Sequence, residues 1–165
     1  MTESHRPKIV VVGSINMDLV VRTQRMPRPG ETIRGRQFLS ASGGKGANQA
    51  VAAARLNAQV SLIARVGDDA FGRTLIDHLA HFGVDPHAIA VTDDCASGVA
   101  VISVDDSGEN AITIIAGANA RLNPGDVQVH RDLIADADVV LLQLESPTAT
   151  VVAALELAQI GRAHV

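Results

Sequence analysis

The sequence predicts an α/β protein with a mainly parallel, buried central sheet, flanking helices and a second, smaller antiparallel layer. Three observations carry this. Short β-branched runs at residues 8–13 (KIVVVG), 59–66 and 138–144 (DVVLLQL) read as strands buried on both faces. Ala- and Leu-rich stretches with helical spacing alternate with those runs, the order expected of strands joined by crossover helices. Short, mixed segments near 19–41 and 98–116 suit a second sheet that keeps one face half exposed.

In chain order, residues 8–13 form the first strand, central and parallel. Residues 19–23 (LVVRT) are a short strand, broken by Pro27, Pro29 and Gly30, and 31–36 (ETIRGR) alternates again as strand. Residues 46–56 (GANQAVAAARL) are Ala-rich and read as a helix packed closely on a neighbour. A strand at 59–66 leads to Asp68 and Asp69, acidic caps for a helix over 69–82 with Phe71, Leu75, Leu79 and Phe82 at helical spacing. Gly83 stops that helix. Asp105-Asp106-Ser107-Gly108 between two β-rich runs marks a hairpin over 98–104 and 111–116. Asn123-Pro124 caps and opens a helix reaching about Ala135. The last strand, 138–144, precedes Pro147 and an Ala/Leu-rich helix from about Thr148.

Composition narrows the functional classes. Lys plus Arg number 14 and Asp plus Glu 18, a net charge of −4. Nucleic-acid affinity rests on clustered cations over phosphates, and base stacking needs aromatic platforms; the chain is acidic, has no Trp or Tyr and only 3 Phe. No apolar run approaches the roughly 18–20 residues of a membrane span. A polar start at residues 1–8 and a single cysteine, Cys95, lead to the expectation of a cytoplasmic protein.

The most informative segment is 42–48 (SGGKGAN), immediately before a helix. Glycines allow positive φ and close backbone approach, the helix start offers free N–H donors, Lys45 adds a cation and Asn48 a two-sided amide. The set suits a polyol or an anionic group; a plain tight turn is the alternative. It is not a phosphate-binding Walker loop, because Gly46 stands where Ser or Thr would follow the lysine. Asn16-Met17-Asp18 lies past the first strand, where open α/β sheets bind ligands, although Asn and Asp there also form ordinary turns. Glu145 leaves the last buried strand and is either solvated or used. His78 and His81, beside Asp77, have no third ligand at metal spacing and read as a solvated helix face. Cys95 has no cationic activator in sequence and reads as inert. Asp93-Asp94 and Asp105-Asp106 read as turn acids.

Residues 11–18 (VVGSINMD), 29–32 (PGET), 43–56 (GGKGANQAVAAARL), 66–72 (VGDDAFG), 116–120 (AGANA) and 141–147 (LLQLESP) resemble, in order, the ribokinase group of the PfkB-type carbohydrate kinases. The resemblance runs from about Ile9 to Gln159 and covers the N-terminal half of that fold. Gly43 to Asn48 and Gln143-Leu144-Glu145 resemble that group more than its adenosine- and fructose-phosphorylating cousins.

The resemblance implies an α/β sandwich, truncated, whose β lid also makes a homodimer contact. It implies ATP-dependent phosphorylation of D-ribose at O5 with magnesium (Mg2+) and a monovalent cation (K+), their sites lying mostly outside this chain. Position by position, Asn16, Met17 and Asp18 would meet ribose; Gly44, Lys45, Gly46, Ala47 and Asn48 would wrap it; Glu145 would accept from a further hydroxyl. Ala100, Ile102 and Ile114 would form the apolar side of the lid. No catalytic residue is expected here, since the group's Gly-Ala-Gly-Asp motif, with its general base, does not occur in the sequence. A smaller departure is Asn57, where the group usually has Gly or Ser. Residues 160–165 (IGRAHV) resemble a translated sequencing adapter (ATC GGA AGA GCA CAC GTC), so 1–159 is expected to be native kinase sequence and 160–165 a non-native tail. The fragment alone is expected to be inactive and poorly stable. Another PfkB-type sugar or nucleoside kinase, or a non-catalytic sugar-binding module, remain as alternatives.

Overall fold

The computed structural model describes residues 6–161 and 163–165. The polar start at 1–5 and Arg162 of the expected tail lie outside the described residues.

The first sheet is wholly parallel. Its strands are β1 (Lys8–Val12), β4 (Gln59–Gly67), β5 (Val84–Asp85), β6 (Ile89–Thr92) and β9 (Val139–Leu142). The order is β5-β4-β1-β9, with β6 pairing the far end of β4. Both faces are covered, which is why these strands read as unbroken apolar runs. Val11, Leu62, Ala64 and Val66 face α1 (Lys45–Arg55) and α2 (Ala70–His81), packing with Ala50, Leu75 and Leu79. Val10, Val12, Ile63 and Val140 face α3 (Pro124–Val129), α4 (Arg131–Ala135) and α5 (Thr148–Ile160), packing with Val127, Ile134 and Ala154.

The second sheet is β3-β2-β7-β8, built from β2 (Asn16–Arg22), β3 (Gln37–Gly43), β7 (Gly98–Val104) and β8 (Asn110–Ile115). Its outer pairs are antiparallel, and its central pair, β2 and β7, runs parallel. The hairpin turn forms where expected: Asp105 Oδ1 accepts from the Ser107 amide at 2.9 Å.

Two elements depart from the sequence reading. Residues 31–36 are not strand; β3 begins at Gln37, where pairing with Arg22 of β2 begins. The alternation of ETIRGR is local pattern without a partner strand. The helix expected over 124–135 is two helices separated at His130, although its capping is as expected: Asn123 Oδ1 accepts from Gly125 N at 2.8 Å and Asp126 Oδ2 from Asn123 N at 2.9 Å.

Asp69 caps α2 and also ties it to the lid. Its Oδ1 accepts from Gly72 N at 2.7 Å and its Oδ2 from Ser97 N at 2.8 Å. Burial pushes the Asp69 carboxyl up, but these donors outweigh it and hold the group below the usual carboxylate range. Beyond α5, Ala163 packs on the second core and His164 bridges Val139 in parallel, with Val140 N donating to His164 O at 2.8 Å.

Candidate functional site

β1 lies between β4 and β9, so the connections leaving and re-entering the sheet diverge at β1 and β9. Such a switch point leaves a crevice at the strands' carboxyl ends. Gly13 and Ser14 follow β1, and Gln143 to Glu145 follow β9. Ser14 Oγ donates to Glu145 Oε2 at 2.7 Å across that crevice.

The start of α1 closes against the same segment. Gly44 adopts φ 92°, and a Cβ there would stand 2.8 Å from the Asn16 nitrogen. A Cβ on Gly46 would stand 2.7 Å from the Ser14 nitrogen. Only glycine lets the helix start approach this closely. Ala47 N donates to Ser14 O at 3.0 Å, and Lys45 N lies 3.3 Å from Glu145 Oε2. The Lys45 ammonium pairs with Glu145 Oε1. The carboxylate therefore sits at a helix N-terminus whose cap residue supplies no side-chain acceptor. Burial pushes the Glu145 carboxyl up, but donors from Lys45 and Ser14 outweigh it, and the net shift is downward.

Asp18 is the opposite case. Burial and the neighbouring Glu145 charge both push its carboxyl upward. It makes no hydrogen bond or ion pair among the described residues. Its carboxylate lies over Gly43, where a Cβ would come within 2.2 Å of Oδ2.

The lid sheet arranges the rest by register. Asn16 pairs with Gly43 and Gly98, and Asp18 with Ala41 and Ala100, which in turn pairs with Ile114. Side chains on one face repeat every second residue, so Asn16, Asp18, Ala100, Ile102 and Ile114 share a face. Ser14, Asn16, Ile114, Ala116, Asn119 and Glu145 line a cavity of about 160 Å3. Asn48 is exposed on the first turn of α1.

Met17 is a correction to the sequence reading. It occupies the opposite face of β2, is 4% exposed and packs in the first core. The strand period of two places it there. Ala47 likewise turns its methyl into that core and meets the site through its backbone. Asn16 to Asp18 are strand, not a turn after β1, because β2 starts at Asn16.

Sequence reasoning named neither Ser14 nor Asn119 as site residues, although both lie in the segments that carried the resemblance. Gln143 is a third addition: its Nε2 donates to Gln49 Oε1 at 2.5 Å and its side chain fills the space a Cβ on Gly13 would need. Their signal is tertiary, and no local pattern marks it. His78 and His81 pack edge-on against Phe82, with ring centroids 4.8 and 5.1 Å away.

A larger hollow of about 400 Å3 lies at the opposite, amino ends of the strands. Its cations are already engaged, Lys8 by Asp136 and Arg6 by the carbonyls of Asn57 and Ala58, so it presents little free chemistry. Among the described residues, no group of three or more His, Cys, Asp or Glu converges to hold a metal ion. The side chains present do not fit a magnesium site, and no step is assigned to one. Among the described residues no helix is long and apolar enough to cross a membrane.

The sequence pattern described as "pfkB family carbohydrate kinase" matches residues 6–165. Ribokinase of Mus musculus is 42% identical over 157 residues, which are 95% of this chain and 49% of the mouse protein. Deoxyribokinase of Salmonella typhi is 40% identical over 156 residues, covering 94% of this chain and 50% of its own. The structure of Arabidopsis thaliana ribokinase complexed with ribose and ATP superposes with a TM-score of 0.86 at 32% identity, over 94% of this chain and 51% of the plant chain. The chain spans about half the length of the curated relatives it matches.

Proposed function

The chain belongs to the pfkB family of carbohydrate kinases, and from that premise we propose that it carries the sugar-binding part of an ATP-dependent ribose kinase acting at O5. One observation supports this above the others. Asn16 and Glu145 line one cavity at the switch point, Lys45 pairs with Glu145 there, and Asp18 lies close enough to feel the Glu145 charge while having no hydrogen-bond or ion-pair partner among the described residues.

Phosphoryl transfer depends mainly on positioning and on electrostatic stabilisation. The work assigned to these residues is positioning. Asp18 accepts from sugar hydroxyls, Asn16 donates to one, and Glu145 accepts from another once it exchanges part of its contact with Lys45. Gly44 and Gly46 let the α1 backbone close around the ring, and Asn48 contributes an amide from the helix's first turn. Ala100, Ile102 and Ile114 cover the apolar face of the sugar. ATP, bound with magnesium and a monovalent cation, would supply the phosphoryl group; no residue of this chain is assigned to any of the three.

A second copy of the chain is the proposed cover for the lid's exposed apolar row, in which Leu39 is 44% and Ile112 53% exposed. The single cysteine fits a reducing, cytoplasmic setting.

Titration calorimetry of the 165-residue chain with ribose, 2-deoxyribose, fructose and adenosine tests the reading. Saturable binding strongest for ribose is expected, with no ATP-dependent turnover by the chain alone. A folded chain that binds none of these sugars overturns the assignment. Preference for 2-deoxyribose would favour the deoxyribokinase-like alternative, which the 40% identity to that relative makes specific.

A further inference from the structure

We propose that Asn119 is a positioning residue: it fixes the Asn16 amide so that its N–H donors face the crevice, where with Asp18 they take a vicinal diol in a single hydrogen-bonding polarity. The proposal rests on the sugar-binding reading and deepens it.

The orientation follows from one donor that cannot be reversed. Ile15 N, a backbone N–H, donates to Asn119 Oδ1 at 2.9 Å, so the Asn119 oxygen must face it. Asn119 Nδ2 then spends its two hydrogens on Ile15 O at 2.9 Å and on Asn16 Oδ1 at 2.8 Å. Asn119 is 3% exposed, and leaving any of these groups unpaired would cost a desolvation penalty. The Asn16 oxygen is thereby occupied. Its Nδ2 makes no hydrogen bond among the described residues and lies at the cavity that Asn16 and Asn119 both line. Asp18, two residues along the same strand face, offers only acceptors when ionised. A donor beside an acceptor matches two adjacent hydroxyls, one receiving and one giving a hydrogen bond.

Two glycines support the arrangement independently. A Cβ on Gly98 would stand 2.1 Å from Asn119 Nδ2 and 2.3 Å from Asn16 Oδ1, so residue 98 is bare where that hydrogen bond passes. Gly117, at φ 52°, opens the short 3-10 helix Gly117–Arg121 that carries Asn119, and Ala118 N anchors this turn to Ala96 O at 2.8 Å.

The test uses two variants of the 165-residue chain. Asn119→Asp keeps shape and the acceptor for Ile15 N but removes both donors, so the Asn16 amide must turn and show its oxygen to the crevice. Gly98→Ala sets a methyl against Asn119 Nδ2, Asn16 Oδ1 and the Ile15 carbonyl, and so disturbs the same contact from the other side. The readouts are the Asn16 side-chain amide resonances without sugar, and affinities for ribose and its singly deoxygenated analogues. In both variants the resonances should move to a newly hydrogen-bonded environment. Ribose should bind about tenfold more weakly, the scale of one lost hydrogen bond to a polar partner. One deoxy analogue, lacking the hydroxyl that Asn16 contacts, should stay within about twofold of its original affinity. Unmoved Asn16 resonances, or an equal loss for every sugar, would overturn the proposal; equal loss is what a purely structural role produces. Should Asn119→Asp unfold, Gly98→Ala carries both readouts. If the unaltered chain binds no sugar of the panel, the sugar reading fails, while the Asn16 resonances still decide whether Asn119 orients it.

Discussion

The Ser14 hydroxyl donates to the Glu145 carboxylate at 2.7 Å, joining the carboxyl ends of two strands whose connections leave the sheet in opposite directions. Ser14 is 1% exposed, so the bond is made largely away from water. Hydrogen bonds to a charged partner contribute about 1.5–3 kcal/mol. Ser14→Ala should therefore lower stability by about 1–2 kcal/mol, read as a reduced midpoint in urea with an unchanged slope. Ribose affinity should fall with it, because Glu145 loses one of the donors that orient it. An unaltered midpoint would show that this contact is not made in solution.

The two site carboxylates shift in opposite directions, and their pH signatures should separate. Asp18 is raised above its ordinary value of 3.8 by burial and by Glu145. Glu145 is net lowered from 4.5 because donors from Lys45 and Ser14 outweigh burial. Ribose binding should weaken as pH falls through the raised Asp18 value. For stability the signs differ. Asp18 binds its proton more tightly when folded, so its contribution declines as pH rises from the unfolded value through the raised one. Glu145 binds its proton less tightly when folded, so its contribution is present above 4.5 and is lost as pH falls through the lowered value. Calorimetric titrations from about pH 7 down to about pH 4 measure this. Asp18→Asn should abolish the acid limb of binding, and its persistence in that variant would assign the limb elsewhere.

The parts of the fold with a local signature were legible before the structure. β1 and β4 announce themselves by β-branched residues on both faces, α2 by Asp69 and Gly83, and the lid hairpin by Asp105 to Gly108. β5 and β6 were not legible, since two and four residues carry too little pattern to distinguish strand from loop. The break at His130 was hidden because no Gly or Pro stands beside it to mark a helix end. In the site, Asn16, Asp18, Lys45 and Glu145 could be named from chemistry and resemblance. Met17 could not be sorted from its neighbours without knowing that β2 begins at Asn16, since a strand sends alternate residues to opposite faces. Asn119 acts on a residue 103 positions away, and such a contact leaves no mark in a sequence window.

Asn57 tests how well this chain tolerates its departure from glycine. It follows α1 at φ 71°, a left-handed conformation, with Ala58 N closing back on Ala53 O at 3.2 Å. Asn accepts this region more readily than other side-bearing residues, while Cβ crowding costs most residues about 1–2 kcal/mol. Asn57→Gly should stay within about 0.5 kcal/mol of the parent, and Asn57→Ala should lose about 1 kcal/mol. Chemical unfolding of the three chains decides it. Equal stability of the Ala and Asn forms would mean that the turn relaxes out of the left-handed region.

The lid's cross-strand rows bear on assembly. Leu39 pairs with Val20, Val20 with Ile102, and Ile102 with Ile112, so four apolar side chains cross the sheet in one line beside the row holding Asp18. With Ile112 53% and Leu39 44% exposed, the line favours burial against another apolar surface. A second copy offers a self-complementary row, as a two-fold interface requires. Sedimentation equilibrium should find a species of about twice the 17.2 kDa chain mass. Ile112→Glu, at the outer strand and away from the polar crevice, should return it to 17.2 kDa, because two like charges would meet across the axis. Ribose affinity distinguishes two roles for the row. If dimerisation only covers apolar surface, the monomeric variant binds as the parent does; if the partner holds the lid over the sugar, affinity falls in step with dissociation. A parent chain that stays monomeric at high concentration would remove the second copy as the occupant of this face.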